Sequence, residues 1–275
     1  MTEPIYGSIA VASTFSPRFL QVLSEAKRIS HRFDTKLSLI YVGTRTDETA
    51  KKFSNALGQL QLPADSTIHY EEGEPAATIL RVAQANNIEL IVAGALEKEV
   101  VLRPFLGNVA RRLVREATCS VMLFTHPDSE PKPLRKIVFM ADFSEHGRNA
   151  LRKTFHLAER EGCEKLYAIR VYTSFDAARA TRRIESAHAP PSARTLEEEE
   201  VALEKFILSA GHTDVPIEAR CVRGNTAYVA SDFVQAIEAD LLVVPITTSP
   251  GAGKKLAPEI EWVTDVIPCN LWVIR

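Results

Sequence analysis

The sequence predicts an α/β fold made of two tandem doubly wound domains, each a parallel sheet covered by helices on both faces. Three observations carry this prediction. Five strand-like segments recur in the same order in both halves, amphipathic helical stripes fill the gaps between them, and the length of 275 residues suits two units of roughly 100–150 residues. The expected units are residues 1–126 and 134–275, joined by a linker at 127–133. Its three prolines, Pro127, Pro131 and Pro133, make that linker extended and stiff.

The first half opens on an apolar run, Ser8 to Ser13, that ends in Thr14-Phe15-Ser16; the second opens on Lys136 to Ala141 and ends in Asp142-Phe143-Ser144. Downstream, Lys36 to Val42 matches Lys165 to Val171, and Tyr70 to Gly73 matches Cys221 to Gly224. Ile88 to Gly94 matches Ala239 to Pro245, and Cys119 to Phe124 matches Cys269 to Ile274. Short continuous apolar runs of this kind suit strands buried on both faces.

Between them, Ser16 is expected to cap a helix with Pro17 in its first position. Phe19, Val22, Ala26, Ile29 and Phe33 then follow at helical spacing as one apolar stripe. In the second half Ser144 takes the cap position, and Leu151, Phe155 and Ala158 share a face. Glu74-Pro75 opens a helix carrying Ile79, Val82 and Ala83; its counterpart from Asn225 onward carries Val229, Phe233 and Ala236. Strands alternating with helices specify right-handed crossovers and hence a parallel sheet.

The halves differ in one place: Val42 and Gly73 lie 31 positions apart, but Val171 and Gly224 lie 53 apart. The excess falls in Ser174 to Glu200. It reads as a helical segment with Arg179, Arg182 and Arg183, a break at Pro190-Pro191, and a second helix whose first turn, Glu197 to Glu200, is solvated. A solvated excursion is the expectation, rather than a lid over a site.

Composition removes several classes of function. A formal net charge of -2 at pH 7 offers no basic footprint for nucleic acid. No apolar run approaches the ~20 residues that cross a bilayer, and Met1-Thr2-Glu3-Pro4 lacks the basic-then-apolar pattern of a signal peptide, so no membrane partner is expected and the chain reads as cytoplasmic. Cys119, Cys163, Cys221 and Cys269 show no metal-ligand spacing and no disulfide framework; they read as small buried hydrophobes. The seven histidines lack HxH or HxxxH spacing, and no nucleophile elbow occurs. No catalytic residue and no metal ligand is therefore singled out.

A ligand of such a sheet binds beyond the carboxyl ends of the strands, where successive crossovers leave in opposite directions. That rule selects Ala12 to Thr14 and Gly94 to Glu97 in the first half, and Met140 to Asp142 and Pro245 to Thr248 in the second. A long loop after the fourth strand ends at a helix beginning Asn108-Val109, whose free N–H groups and dipole attract phosphate. Gly107 lets the backbone approach closely, and Asn108 is placed to cap the helix or donate its amide. The second half instead holds Ser249 to Lys255, in which Gly251, Gly253 and Lys254 present backbone amides and an ammonium group; Thr248 and Lys255 stand where a Walker motif needs Gly and Ser/Thr.

At these residues the chain resembles the universal stress protein family, over nearly its whole length and as a tandem two-domain member. In ATP-binding members of that family the loop after strand four reads Gly-x-x-Gly, nine residues, then Gly-Ser or Gly-Thr, and an acidic residue ending strand one contacts adenine. Gly94 and Gly107 fall at the first and third of those glycines. Glu97 replaces the second, Asn108 the Ser/Thr, and Thr14 the aspartate. The second half keeps Asp142 but has Pro245 at the first glycine and Ala257-Pro258-Glu259 at the helix start.

The resemblance implies a five-stranded parallel sheet in each domain, with the Cys-bearing last strands at a dimer-like interface. It also implies a degenerate site for ATP or AMP in at most one domain. In the first domain the residues are Ala12, Thr14, Val42, Gly94, Gly107, Asn108 and Val109; in the second they are Ala141, Asp142, Val171, Gly251, Gly253 and Lys254. Three functions follow from this: a stress-response regulatory or binding protein, a nucleotide-free scaffold built as an intramolecular pseudo-dimer or a homodimer, and a weak nucleotide hydrolase.

Overall fold

A computed structural model describes residues 4–95, 106–185, 194–224, 228–247, 261–264 and 267–275. Each of the ten expected segments forms a strand. In chain order these are β1 Ile9–Ser13, β2 Leu37–Val42, β3 Ile68–Glu71, β4 Leu90–Gly94, β5 Ser120–Phe124, β6 Lys136–Met140, β7 Lys165–Tyr172, β8 Ile217–Arg223, β9 Leu241–Pro245 and β10 Asn270–Ile274. The helices are α1 Phe19–Arg32, α2 Asp47–Gln59, α3 Pro75–Ala85, α4 Asn108–Glu116, α5 Glu145–Glu161, α6 Ser174–Glu185, α7 Leu196–Ala210 and α8 Tyr228–Ala236. Among the described residues no helix is long and apolar enough to cross a membrane.

The described residues group into two units, 4–132 with 270–275, and 133–247 with 261–269. In the first, the strand order is β3-β2-β1-β4-β5-β10. Strand β1 pairs in parallel with β2 on one side and β4 on the other, so the crossovers part at β1 and β4. Leu90, Ile91 and Val92 of β4 are completely buried, as strands covered on both faces require. In the second unit the order is β9-β6-β7-β8, all parallel, with the same parting at β6 and β9.

β10 groups with the first unit and runs antiparallel to β5, with Leu271 opposite Leu123 and Val273 opposite Val121. The pairing of the Cys-bearing last strands that the resemblance implies is present as β5–β10. β5 is buried at every position, and an apolar strand of that kind left as an open edge would invite association. β10 covers it and brings Trp272 onto Tyr6 and Phe33, with ring centroids 6.3 and 5.7 Å away.

Local chemistry accounts for the helices and for four corrections. α1 begins at Phe19, not Pro17; Ser16 to Arg18 form a turn in which Phe19 N–H donates to Ser16 O at 3.0 Å, and Arg18 occupies the cap position without a side-chain bond. The sequence reading contains no helix between β2 and β3, yet α2 stands there. Its signal is Thr46, whose hydroxyl accepts from Thr49 N–H while Thr49 Oγ1 accepts from Thr46 N–H at 2.8 Å, a reciprocal cap. The stripe expected on α8 is displaced: Ala230, Ser231 and Val234 are buried, and Ala236 is exposed. Phe233 is half-buried, edge-on to Tyr167 of β7 at 5.7 Å. Finally, the first turn of α7 is not wholly solvated: Glu199 is 6% exposed and accepts from Arg170 Nε at 2.8 Å and Arg194 Nη1 at 3.3 Å. Ser144 caps α5 as expected, accepting from Gly147 N–H at 2.8 Å.

Candidate functional site

In the first unit, the carboxyl ends of β1 and β4 open into a cavity of about 600 Å³. Its floor is Ala12 to Thr14 and Ala93 to Ala95; its walls are the start of α1, with Phe19 and Val22, and the start of α3, with Pro75 and Ile79. Val42 closes one side, and Phe124 with Pro127 the other. Gly94 keeps this space open. A Cβ there would stand 3.2 Å from Val22 Cγ2, so a larger side chain would have to grow between β4 and α1.

Two backbone bonds set the end of the cavity at α4. Ala95 N–H donates to Phe124 O at 2.9 Å, and Gly107 N–H to Ala95 O at 2.9 Å, which tethers the start of α4 to the end of β4. Gly107 is the N-cap of α4, with φ -60 and ψ 154 and no side-chain cap bond, and the first turn has no acidic residue. The N–H groups of a helix's first turn have no intrahelical acceptors, and Gly107, Val109 and Ala110 all line the cavity. This helix end therefore carries positive potential into an apolar recess, where electrostatic interactions are stronger than in water.

The neighbouring helix start is already occupied. Glu74 caps α3 by accepting from Ala76 N–H at 3.2 Å and Ala77 N–H at 2.9 Å, bonds that, led by Ala77, hold its carboxyl below the usual range. The same carboxylate pairs with Arg112 of α4, which also donates to Glu116 at 2.9 Å. α3 and α4 are thereby fastened beside the cavity. Among the described residues lining it, Arg18 is charged, and its Nη1 donates to Thr125 O at 3.4 Å.

Of the seven residues assigned to the first domain, Ala12, Thr14, Val42, Gly94, Gly107 and Val109 line this one cavity. Asn108 does not: it is the exposed first residue of α4, and the cap position belongs to Gly107. Glu97 lies outside the described residues. Phe19, Val22, Pro75 and Ile79 also line the cavity, although helical periodicity alone assigns such apolar residues to the core. Their positions at helix starts flanking the switch point were the available signal.

In the second unit, Ala141 N–H donates to Ile169 O at 2.8 Å, and Val171 pairs with Val222. Asp142 is engaged locally, accepting from Ser144 N–H and from the Ser144 hydroxyl, both at 2.9 Å. A Cβ at Gly147 would overlap that carboxylate. Phe143 has φ 61; Arg170 and Arg194 lie over its ring at 5.1 and 5.3 Å, and Phe206 meets it edge-on at 5.6 Å. Gly251, Gly253 and Lys254 lie outside the described residues.

Among the described residues there is no group of three or more His, Cys, Asp and Glu side chains placed to hold a metal ion. All four cysteines are free thiols. Burial pushes Cys119, Cys163 and Cys221 up to about 11 and Cys269 up to about 12, so at pH 8 very little thiolate exists. The native chain is expected to react with a thiol reagent at pH 8 at least about tenfold more slowly than the chain in denaturant, because loss of thiolate outweighs the higher intrinsic nucleophilicity. A fast-reacting fraction in the native protein would contradict this.

The first unit is thus a doubly wound α/β domain with a cavity at its switch point and an open helix N-terminus beside it. Within that fold class the assignment is direct: the family model described as Universal stress protein family matches residues 44–125 and 133–275, and the chain belongs to that family. A universal stress protein of Methanocaldococcus jannaschii is 28% identical over 148 residues, spanning 46% of this chain and 87% of the relative. A solved structure described as a functionally unknown protein from Pseudomonas aeruginosa has a TM-score of 0.72 at 18% identity, covering 98% of this chain and 92% of the other. A universal stress protein from Archaeoglobus fulgidus has a TM-score of 0.64 at 14% identity, covering 98% of both chains. These structural likenesses concern the fold.

Proposed function

We propose that this universal stress protein is a cytoplasmic regulatory binder that takes an adenine nucleotide, ATP or AMP, in the cavity of its first unit. The observation that carries the reading is the uncapped start of α4 at Gly107, facing a cavity of about 600 Å³ with apolar walls. The helix end supplies donors for phosphate, the walls supply a surface for a base, and the volume falls in the range of small-molecule sites. Thr14, standing where an acidic residue is expected, offers a hydroxyl to the base or ribose. Restriction to one unit is supported by Asp142, whose carboxylate serves the start of α5.

The test is thermal unfolding with and without nucleotide. A ligand that binds only the folded state, at about 100 times its Kd, adds about 2.7 kcal/mol, which raises the melting temperature of a unit of this size by about 5–10 °C. The shift is expected in the transition of the first unit. No shift with either nucleotide at millimolar concentration would reject the reading in favour of the nucleotide-free scaffold.

A further inference from the structure

We propose that the first unit carries a second binding site, for a small anion bearing one or two phosphate groups, in a cavity of about 380 Å³ between the C-terminal half of α1, the end of α2 and the linker. Ser24, Lys27, Arg28, His31 and Arg32 reach it from α1. Their spacing of three, four, seven and eight residues from Ser24 puts them on one helix face. The dipole of α1 accounts for basic residues in its last turn. It does not account for Lys27 and Arg28 a turn earlier, nor for a lining without a carboxylate in a chain whose net charge is -2.

The basic groups are held in place. Lys27 Nζ donates to Leu60 O at 2.6 Å, which leaves the ammonium further donors. Arg28 is fixed by Glu25 at 2.8 Å. The nearby linker carboxylate of Asp128 accepts from Ser129 Oγ at 3.4 Å and Glu130 N–H at 3.2 Å. Neither Glu25 nor Asp128 lines the cavity.

A second, independent observation is Ser24. It lines the cavity, is 5% exposed, and its hydroxyl has no hydrogen-bond partner, although buried hydroxyls are normally bonded. A rotation about its Cα–Cβ bond would offer that donor to a bound oxyanion. Gln59, Gln61 and Ser129 complete a polar rim, and among the described lining residues there is no Phe, Tyr or Trp ring to hold a base. The recognition is therefore of phosphate itself through charge-assisted bonds.

The test is calorimetric titration of the full chain with sodium pyrophosphate at low ionic strength. Pyrophosphate is expected to bind the parent, with at least about tenfold weaker binding in Lys27→Gln/Arg32→Gln and in Ser129→Glu, and loss of binding at high salt. The second variant adds a carboxylate on an exposed residue and guards against a folding defect in the first. The nucleotide-induced melting shift should be unchanged in both. ADP with the same variant sensitivity would identify the source as a nucleotide and uphold phosphate recognition. The proposal is overturned if the parent does not bind pyrophosphate, if both variants bind it as the parent does, or if Gly107→Asp abolishes the binding, which would place the anion in the other cavity.

Discussion

Replacing Trp272 with alanine is expected to destabilise the first unit by about 3–5 kcal/mol, the usual range for deleting a buried large aromatic. Trp272, on β10, is completely buried. Its ring meets Phe33 of α1 and Tyr6, and Tyr6 in turn is edge-on to Phe33 at 5.1 Å and donates from its hydroxyl to Ser120 Oγ at 3.0 Å. Truncation therefore empties one side of a cluster that includes the start of β5 and loosens the backbone pairing of Trp272 with Met122. Urea unfolding read by circular dichroism, with hydrogen exchange at the β5 amides, would measure this. A loss below about 1 kcal/mol, or one confined to the transition of residues 133–247, would mean that β10 does not belong to the first unit.

The Gly107→Asp substitution should separate fold from ligand. Gly107 sits at φ -60, ψ 154, a conformation open to any residue, and Asp is a favoured helix cap. The new carboxylate would accept from the N–H groups of the α4 first turn, which raises basal stability by a few tenths of a kcal/mol relative to glycine. That same carboxylate occupies the donors assigned to phosphate and repels it. Nucleotide affinity is thus expected to fall by about a hundredfold or more, roughly 2.7 kcal/mol, while the unliganded melting temperature holds or rises. Titration calorimetry alongside thermal unfolding checks both signs. Undiminished nucleotide binding in a folded variant would remove α4 from the site.

Much of this molecule is legible one segment at a time. The inner strands follow from short apolar runs, because a strand buried on both faces must be apolar throughout; β3 and β8, half-buried and rich in polar residues, are legible chiefly from their place in the repeat. The Ser144 cap and the Glu74-Pro75 helix start follow from local hydrogen-bond chemistry. The gathering of Ala12, Thr14, Gly94 and Gly107 follows from strand order, since crossovers that part between β1 and β4 leave a recess at their ends. Less legible was α2, whose Thr46–Thr49 cap uses a threonine where the usual pattern has an acid or amide.

Tertiary structure alone decided three things. Which α8 residues are buried, Ala230, Ser231 and Val234, depends on the surface the helix meets, where Phe233 touches Tyr167, a residue far away in the chain. Glu199, one of four consecutive glutamates, was drawn inward by Arg170 and Arg194, because a carboxylate is buried only where cations meet it. The last strand's pairing with β5 was expected, but its antiparallel direction was not, because apolar character does not fix which way a strand runs. Periodicity and capping are properties of neighbouring residues, so the sequence by itself determined the segments and the switch point; which partner each segment meets depends on packing between distant surfaces, and that only the folded chain decides.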